Sequence, residues 1–108
     1  MNKQNTHEKR LYPRRALRTQ VIFEDEYGQG LFYVYSKDIS LGGLFLESAI
    51  PMRLGTLLLL SFNLPGISEP MRVTGEAIRV SYPEPGMGIR FIDLPAKECQ
   101  LLEKYLNA

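Results

Sequence analysis

The sequence predicts a mainly β protein, a six-stranded antiparallel barrel carrying a C-terminal α-helix and preceded by a flexible basic arm. Three observations carry that prediction. After Gln20, six short segments rich in aromatic and β-branched residues recur between clusters of turn residues. From Pro95 onward the apolar spacing changes to three and four residues, the period of a helix. Residues 1–20 carry six basic groups against the single Glu8, a net +5, whereas residues 21–108 carry seven basic and eleven acidic groups, a net −4. A basic arm before an acidic body points to an anionic partner of the arm.

Taken in order, Val21-Ile22-Phe23 opens the first strand, which runs into Glu24-Asp25-Glu26, a charged stretch suited to a solvated hairpin edge. Gly28 and Gly30 mark a turn, and Leu31-Phe32-Tyr33-Val34-Tyr35 forms the second strand. Asp38-Ile39-Ser40-Leu41-Gly42-Gly43 sets polar side chains before two glycines, and Leu44-Phe45-Leu46 resumes a strand. Leu57 to Phe62, a short apolar run bounded by Gly55 and Pro65, reads as a buried strand. Arg72 to Val80 alternates, with Gly75 expected at a bulge or bend of the kind that closes barrels. Pro83, Pro85 and Gly86 turn the chain into Gly88-Ile89-Arg90-Phe91-Ile92, the sixth strand. In the helix, about 95–106, Cys99, Leu102 and Leu106 share one face with Leu101 and Tyr105 beside them, and Pro95 suits the first turn. The expected organisation is an arm over 1–20 and one domain over 21–108.

Several function classes are excluded. No apolar stretch approaches the roughly 20 residues a membrane helix needs, and residues 1–20 contain no apolar signal segment, so a cytoplasmic location is expected. One cysteine, Cys99, and one histidine, His7, supply neither an internal disulfide nor a zinc ligand set. His7 lies in the arm, far from any glycine-flanked serine, so no nucleophilic triad is predicted, and Gly42-Gly43 lacks a phosphate-loop pattern. The expectation is a protein without catalytic residues, metal or cofactor.

Two constellations remain. Arg10-Leu11-Tyr12-Pro13-Arg14 places two guanidinium forks four residues apart around a proline that disfavours a helix. Such forks bind phosphate oxygens or the O6/N7 edge of guanine. In Asp38-Ile39-Ser40, if the segment is a strand, Asp38 and Ser40 share one face while Ile39 takes the other. A carboxylate there accepts from guanine N1–H and N2–H₂, and Gly43 or Gly42 permits a positive-φ turn and close backbone approach. An Asp-x-Ser before two glycines also forms local side-chain-to-backbone turns without any ligand.

Together these segments resemble the PilZ domain family of bacterial cyclic di-GMP receptors. Arg10-x-x-x-Arg14 and Asp38-x-Ser40-x-x-Gly43 match both parts of its signature, in order, and Gly86-Met87-Gly88-Ile89-Arg90-Phe91 matches a weaker third pattern. The resemblance implies a PilZ-type barrel with Arg10 and Arg14 clamping guanine edges and phosphates. Asp38 and Ser40 would read the base, and Gly43 would shape the turn. Arg14-x-x-x-Arg18 is a second register, but the family's second arginine often follows a proline about seven residues before the strand, as Arg14 does before Val21, so the resemblance favours Arg10 with Arg14. Lys9, Arg15, Arg18 and Gly42 are auxiliary candidates. Lys9 stands where the family often has an arginine and lacks its planar fork, and Arg18 also reads as a side chain laid along the strand start.

The resemblance further implies a stand-alone adaptor whose arm orders on binding the nucleotide and signals to a protein partner in motility, adhesion or surface behaviour. A second reading is a PilZ-fold interaction module that binds no nucleotide. A third, RNA or single-stranded DNA binding with Phe32, Tyr33, Tyr35 or Phe45 as stacking platforms, is disfavoured by the acidic body, so neither nucleic acid nor membrane insertion is expected.

Overall fold

The computed structural model describes residues 13–28, 30–47, 53–81 and 83–108. Met1 to Tyr12, and with them Lys9 and Arg10, lie outside the described residues. Among the described residues the chain forms β1 (Arg15–Ala16), β2 (Gln20–Asp25), β3 (Phe32–Ser40), β4 (Gly43–Glu47), β5 (Leu57–Phe62), β6 (Met71–Ser81), β7 (Gly86–Ile92) and a helix, α1 (Ala96–Leu106). Six strands close an antiparallel barrel in the order β2-β5-β6-β7-β4-β3 and back to β2. No described helix is long and apolar enough to cross a membrane.

Strand β3 is the hub. Along one edge it pairs first with β2, from Phe32↔Phe23 to Tyr35↔Gln20, and then with β1, through Asp38↔Ala16 and Ile39↔Arg15. Along its other edge it pairs with β4 from Tyr35↔Glu47 to Ser40↔Gly43. Residues 15–17, which the sequence assigns to the arm, are thus laid on the barrel, and Leu17 is only 5% exposed within the core. Ser36 makes the splice between β1 and β2. Its buried hydroxyl donates to the Leu17 carbonyl (2.5 Å) and accepts from the Thr19 N–H (3.1 Å), meeting backbone groups that the gap between β1 and β2 would leave unpaired.

The inward positions Val21, Phe23, Val34, Ile39, Leu44, Leu46, Leu58 and Leu60 alternate along their strands and build one core. That alternation corrects the reading of Leu57 to Phe62 as a buried strand. Leu58, Leu60 and Phe62 are buried, but Leu59 is 53% and Leu57 39% exposed, because a barrel wall has one inner face and, among the described residues, no second layer covers the outer one here. Gly75 is likewise not at a bulge. The register shift in β6 falls between Ala77 and Arg79, whereas a Cβ at Gly75 would stand 2.4 Å from Ile89 Cγ2, so this glycine serves packing. Helix α1 begins after Pro95, its N-cap residue, and seals the core with Leu102 and Tyr105, while Cys99 is half-buried.

Candidate ligand-binding site

The β3–β4 hairpin turns through Leu41-Gly42 and carries the second constellation on its rim. Asp38, Ile39 and Ser40 lie on the last turn of pleat in β3, and Ile39 points into the core. Opposite them Pro13 and Arg14 lead into β1, whose pairing with Ile39 and Asp38 brings Arg14 to the same rim. Arg14 Nη1 donates to Asp38 Oδ1 at 2.6 Å, a charge-assisted bond across 24 residues of sequence. Both side chains keep solvent access, 55% for Arg14 and 27% for Asp38, so the pair is open to exchange partners with a ligand.

Beside the pair lies a cleft of about 390 Å³, bordered by Arg14, Ser40, Gly42, Gly43, Ile78 and Arg90 among others. That volume falls within the roughly 300–1,000 Å³ of small-molecule pockets. The Ser40 hydroxyl accepts from the Gly42 N–H (3.1 Å) and lies 3.4 Å from the Gly43 carbonyl, so in this state it holds its own turn as a local side-chain-to-backbone bond. Gly43 has no left-handed φ, contrary to the turn role expected for it. Its requirement is the close approach. A Cβ there would fall 1.9 Å from the Ile89 carbonyl oxygen of the neighbouring β7. Gly42 contributes its carbonyl, which accepts from the Phe91 N–H at 2.9 Å.

The auxiliary arginines separate. Arg15 turns away from the cleft, donates to the Tyr105 carbonyl at 2.5 Å and stacks 4.4 Å from the Tyr105 ring centre, tying β1 to the end of α1. Arg18 lies 3.9 Å over the Tyr35 ring with Glu47 at 3.7 Å, an arrangement that lays its stem along the strand start. A second groove, about 440 Å³, crosses β2, β5 and β6 between Ile22, Leu31, Leu59 and Arg72, and contains none of the described signature residues. Sequence reading passed over Ser36, Ile78 and Arg90. Arg90 stood inside a quoted motif without a role, while Ser36 gains its role from the junction of β1 and β2, and Ile78 from a register shift in β6, neither of which a local pattern reveals.

This geometry defines a small closed barrel with a cleft on its rim that sets two arginines and a serine among apolar side chains, where an arginine from the leading segment meets an Asp-x-Ser hairpin. The chain matches the PilZ domain family over residues 8–108 and belongs to it. Among solved structures it is similar to the Bacillus subtilis inhibitor of motility MotI/DgrA, at 20% identity and TM-score 0.74, over 87% of this chain and 47% of that one. It is also similar to the PilZ domain of Escherichia coli YcgR with c-di-GMP, at 16% identity and TM-score 0.71, over 89% and 88% of the two chains. Borreliella burgdorferi PlzA in complex with c-di-GMP matches at 17% identity and TM-score 0.69, over 96% of this chain and 43% of PlzA. The chain thus spans under half the length of MotI/DgrA and of PlzA. No curated protein sequence matches it.

Proposed function

We propose that this chain is a cytoplasmic receptor for cyclic di-GMP that acts by ligand-driven ordering of its N-terminal arm. The observation that carries the reading is the 2.6 Å bond between Arg14 and Asp38, beside a cleft that Arg14 and Ser40 border. Ligand exchanges that bond for others: the Arg14 fork, with Arg10, takes guanine O6/N7 and phosphate oxygens. Asp38 then accepts from the guanine N1–H and N2–H₂, and Ser40 borders the base. The net charge of +5 on residues 1–20 favours a dianion, and docking the arm changes the surface offered to a protein partner. Similarity to barrels solved with c-di-GMP supports the ligand's identity. No reaction step belongs to the proposal.

A second reading, an interaction module without nucleotide, draws on the exposed Leu31, Tyr33 and Leu59 around the β2–β5 groove. Calorimetric titration with cyclic di-GMP separates the two. Micromolar or tighter binding that weakens at least tenfold in Arg14→Ala and Asp38→Ala, about 1.4 kcal/mol, supports the receptor. Absence of heat with the unmodified protein at high micromolar ligand rejects it. Retention of binding in Arg10→Ala with loss in Arg18→Ala would move the operative pair to Arg14 and Arg18.

A further inference from the structure

The far wall of the cleft is built by residues that the signature does not include. Arg90 projects outward from β7 between two cross-strand neighbours, Gly43 on β4 and Glu76 on β6. Its Nη2 donates to Glu76 Oε1 at 2.5 Å, yet 55% of its side chain remains exposed, and it borders the same cleft as Arg14 and Ser40. Gly43 presents no side chain between β3 and Arg90, so the surface separating Arg14 from Arg90 is bare backbone at that position. The register shift of β6 leaves Ile78 without a cross-strand partner and turns it outward, 49% exposed, onto the cleft edge. An exposed isoleucine beside an anchored guanidinium combines an apolar platform with a donor fork.

We propose that Ile78 and Arg90 form a second guanine-reading wall, taking the base of the dinucleotide that Asp38 and Ser40 do not read. This inference rests on the receptor reading above. The Ile78 side chain lies under the ring, and the Arg90 fork donates to O6 and N7, which guanine presents as two acceptors and adenine does not. Arg90 has five N–H donors, and the bond to Glu76 occupies one nitrogen, leaving a fork free for the ligand. Glu76 is a positioning residue. It fixes the guanidinium without touching the ligand, so its carboxylate trades some attraction for a dianion against a defined donor direction.

The test titrates the full chain and the variants Arg14→Ala, Arg90→Ala, Arg90→Lys and Glu76→Gln with cyclic di-GMP, with cyclic di-AMP as competitor. Arg90→Ala is expected to bind cyclic di-GMP about 10- to 100-fold more weakly and to lose most of its preference over the adenine analogue. Arg90→Lys keeps the charge but loses the fork, so the preference falls even where the affinity partly recovers. Glu76→Gln makes the cleft more positive, and a purely electrostatic role predicts tighter binding, whereas positioning predicts a reduced guanine preference. Melting temperatures of the variants confirm folding, since the substituted side chains lie on the outer wall. Binding of Arg90→Ala equal to that of the unmodified protein, while Arg14→Ala fails, overturns the wall and leaves the receptor reading intact. Equal weakening toward both dinucleotides overturns guanine reading by Arg90. No binding by the unmodified protein overturns the receptor reading and the wall with it.

Discussion

Replacing Gly43 with alanine tests the contact that sets the floor of the cleft. The new Cβ would lie 1.9 Å from the Ile89 carbonyl oxygen, 3.0 Å from the Ile89 carbonyl carbon and 3.1 Å from Arg90 Cα. All three are backbone atoms of β7, so no rotamer change relieves the clash. Ordinary contact begins near 3.4 Å, and β4 must therefore move about 1.5 Å from β7 at this end. That movement breaks the 2.9 Å bond between the Phe91 N–H and the Gly42 carbonyl. Overpacking costs about 1–3 kcal/mol and a lost hydrogen bond about 1 kcal/mol, so a loss near 3 kcal/mol is expected. For a domain of this size that lowers the melting temperature by roughly 12–24 °C. Thermal unfolding followed by circular dichroism measures it. A drop below about 4 °C, equivalent to less than 1 kcal/mol, would show that β4 and β7 do not need the close approach.

Other perturbations probe the attachment of β1 and α1. Ser36→Ala leaves the Leu17 carbonyl and the Thr19 N–H unpaired and should cost about 2 kcal/mol. Amide exchange at Leu17 and Thr19 should then accelerate before that of the barrel core, and unchanged protection there would remove Ser36 from its role as splice. Arg15→Ala removes both the bond to the Tyr105 carbonyl and the contact with its ring, at a cost of about 1–2 kcal/mol. Faster exchange in the last turn of α1 is the expected readout, and an unaltered helix end would refute the tie. Lys97 pairs with Glu69 at 3.0 Å, and that hydrogen bond raises the ammonium pKa above 10.5. A raised value contributes stability that is complete below 10.5 and fades as the pH climbs through the folded-state value. The pair is exposed, so that contribution is small: Lys97→Met should lower the melting temperature at pH 7 only slightly, and a decrease of several degrees would contradict that assignment.

Much of the barrel was legible because alternation and turn residues are local signals. The helix was read to within a residue from its three- and four-residue apolar spacing, but the face expected at Cys99, Leu102 and Leu106 is buried at Leu102 and Tyr105, and strand β3 continues past the expected Tyr35 to Ser40. Strand β1 was not legible. Arg15 and Ala16 carry no apolar pattern, and their pairing with Ile39 and Asp38 depends on contacts more than twenty residues away. Leu57 and Leu59 misled for another reason: a run of four leucines looks buried on both sides, and only the single inner face of a barrel wall tells which two are covered. At the site, Arg14 and Asp38 were each read as ligand-binding residues, and the ion pair they make with each other was not foreseen, because it depends on β1 pairing with β3. The glycine at position 43 was expected for the right position but partly for the wrong cause, since φ is a local property and the proximity of β7 is not.

The contact between Arg15 and Tyr105 joins residues 90 positions apart, so β1 and the last turn of α1 are clasped at one place on the barrel. For protein engineering that clasp makes the first strand and the helix end one mechanical unit, so a change made at either is expected to be felt at the other. A reporter pair placed beside Arg15 and on the last turn of α1 would register any displacement of β1 from the helix end without a label on the cleft itself.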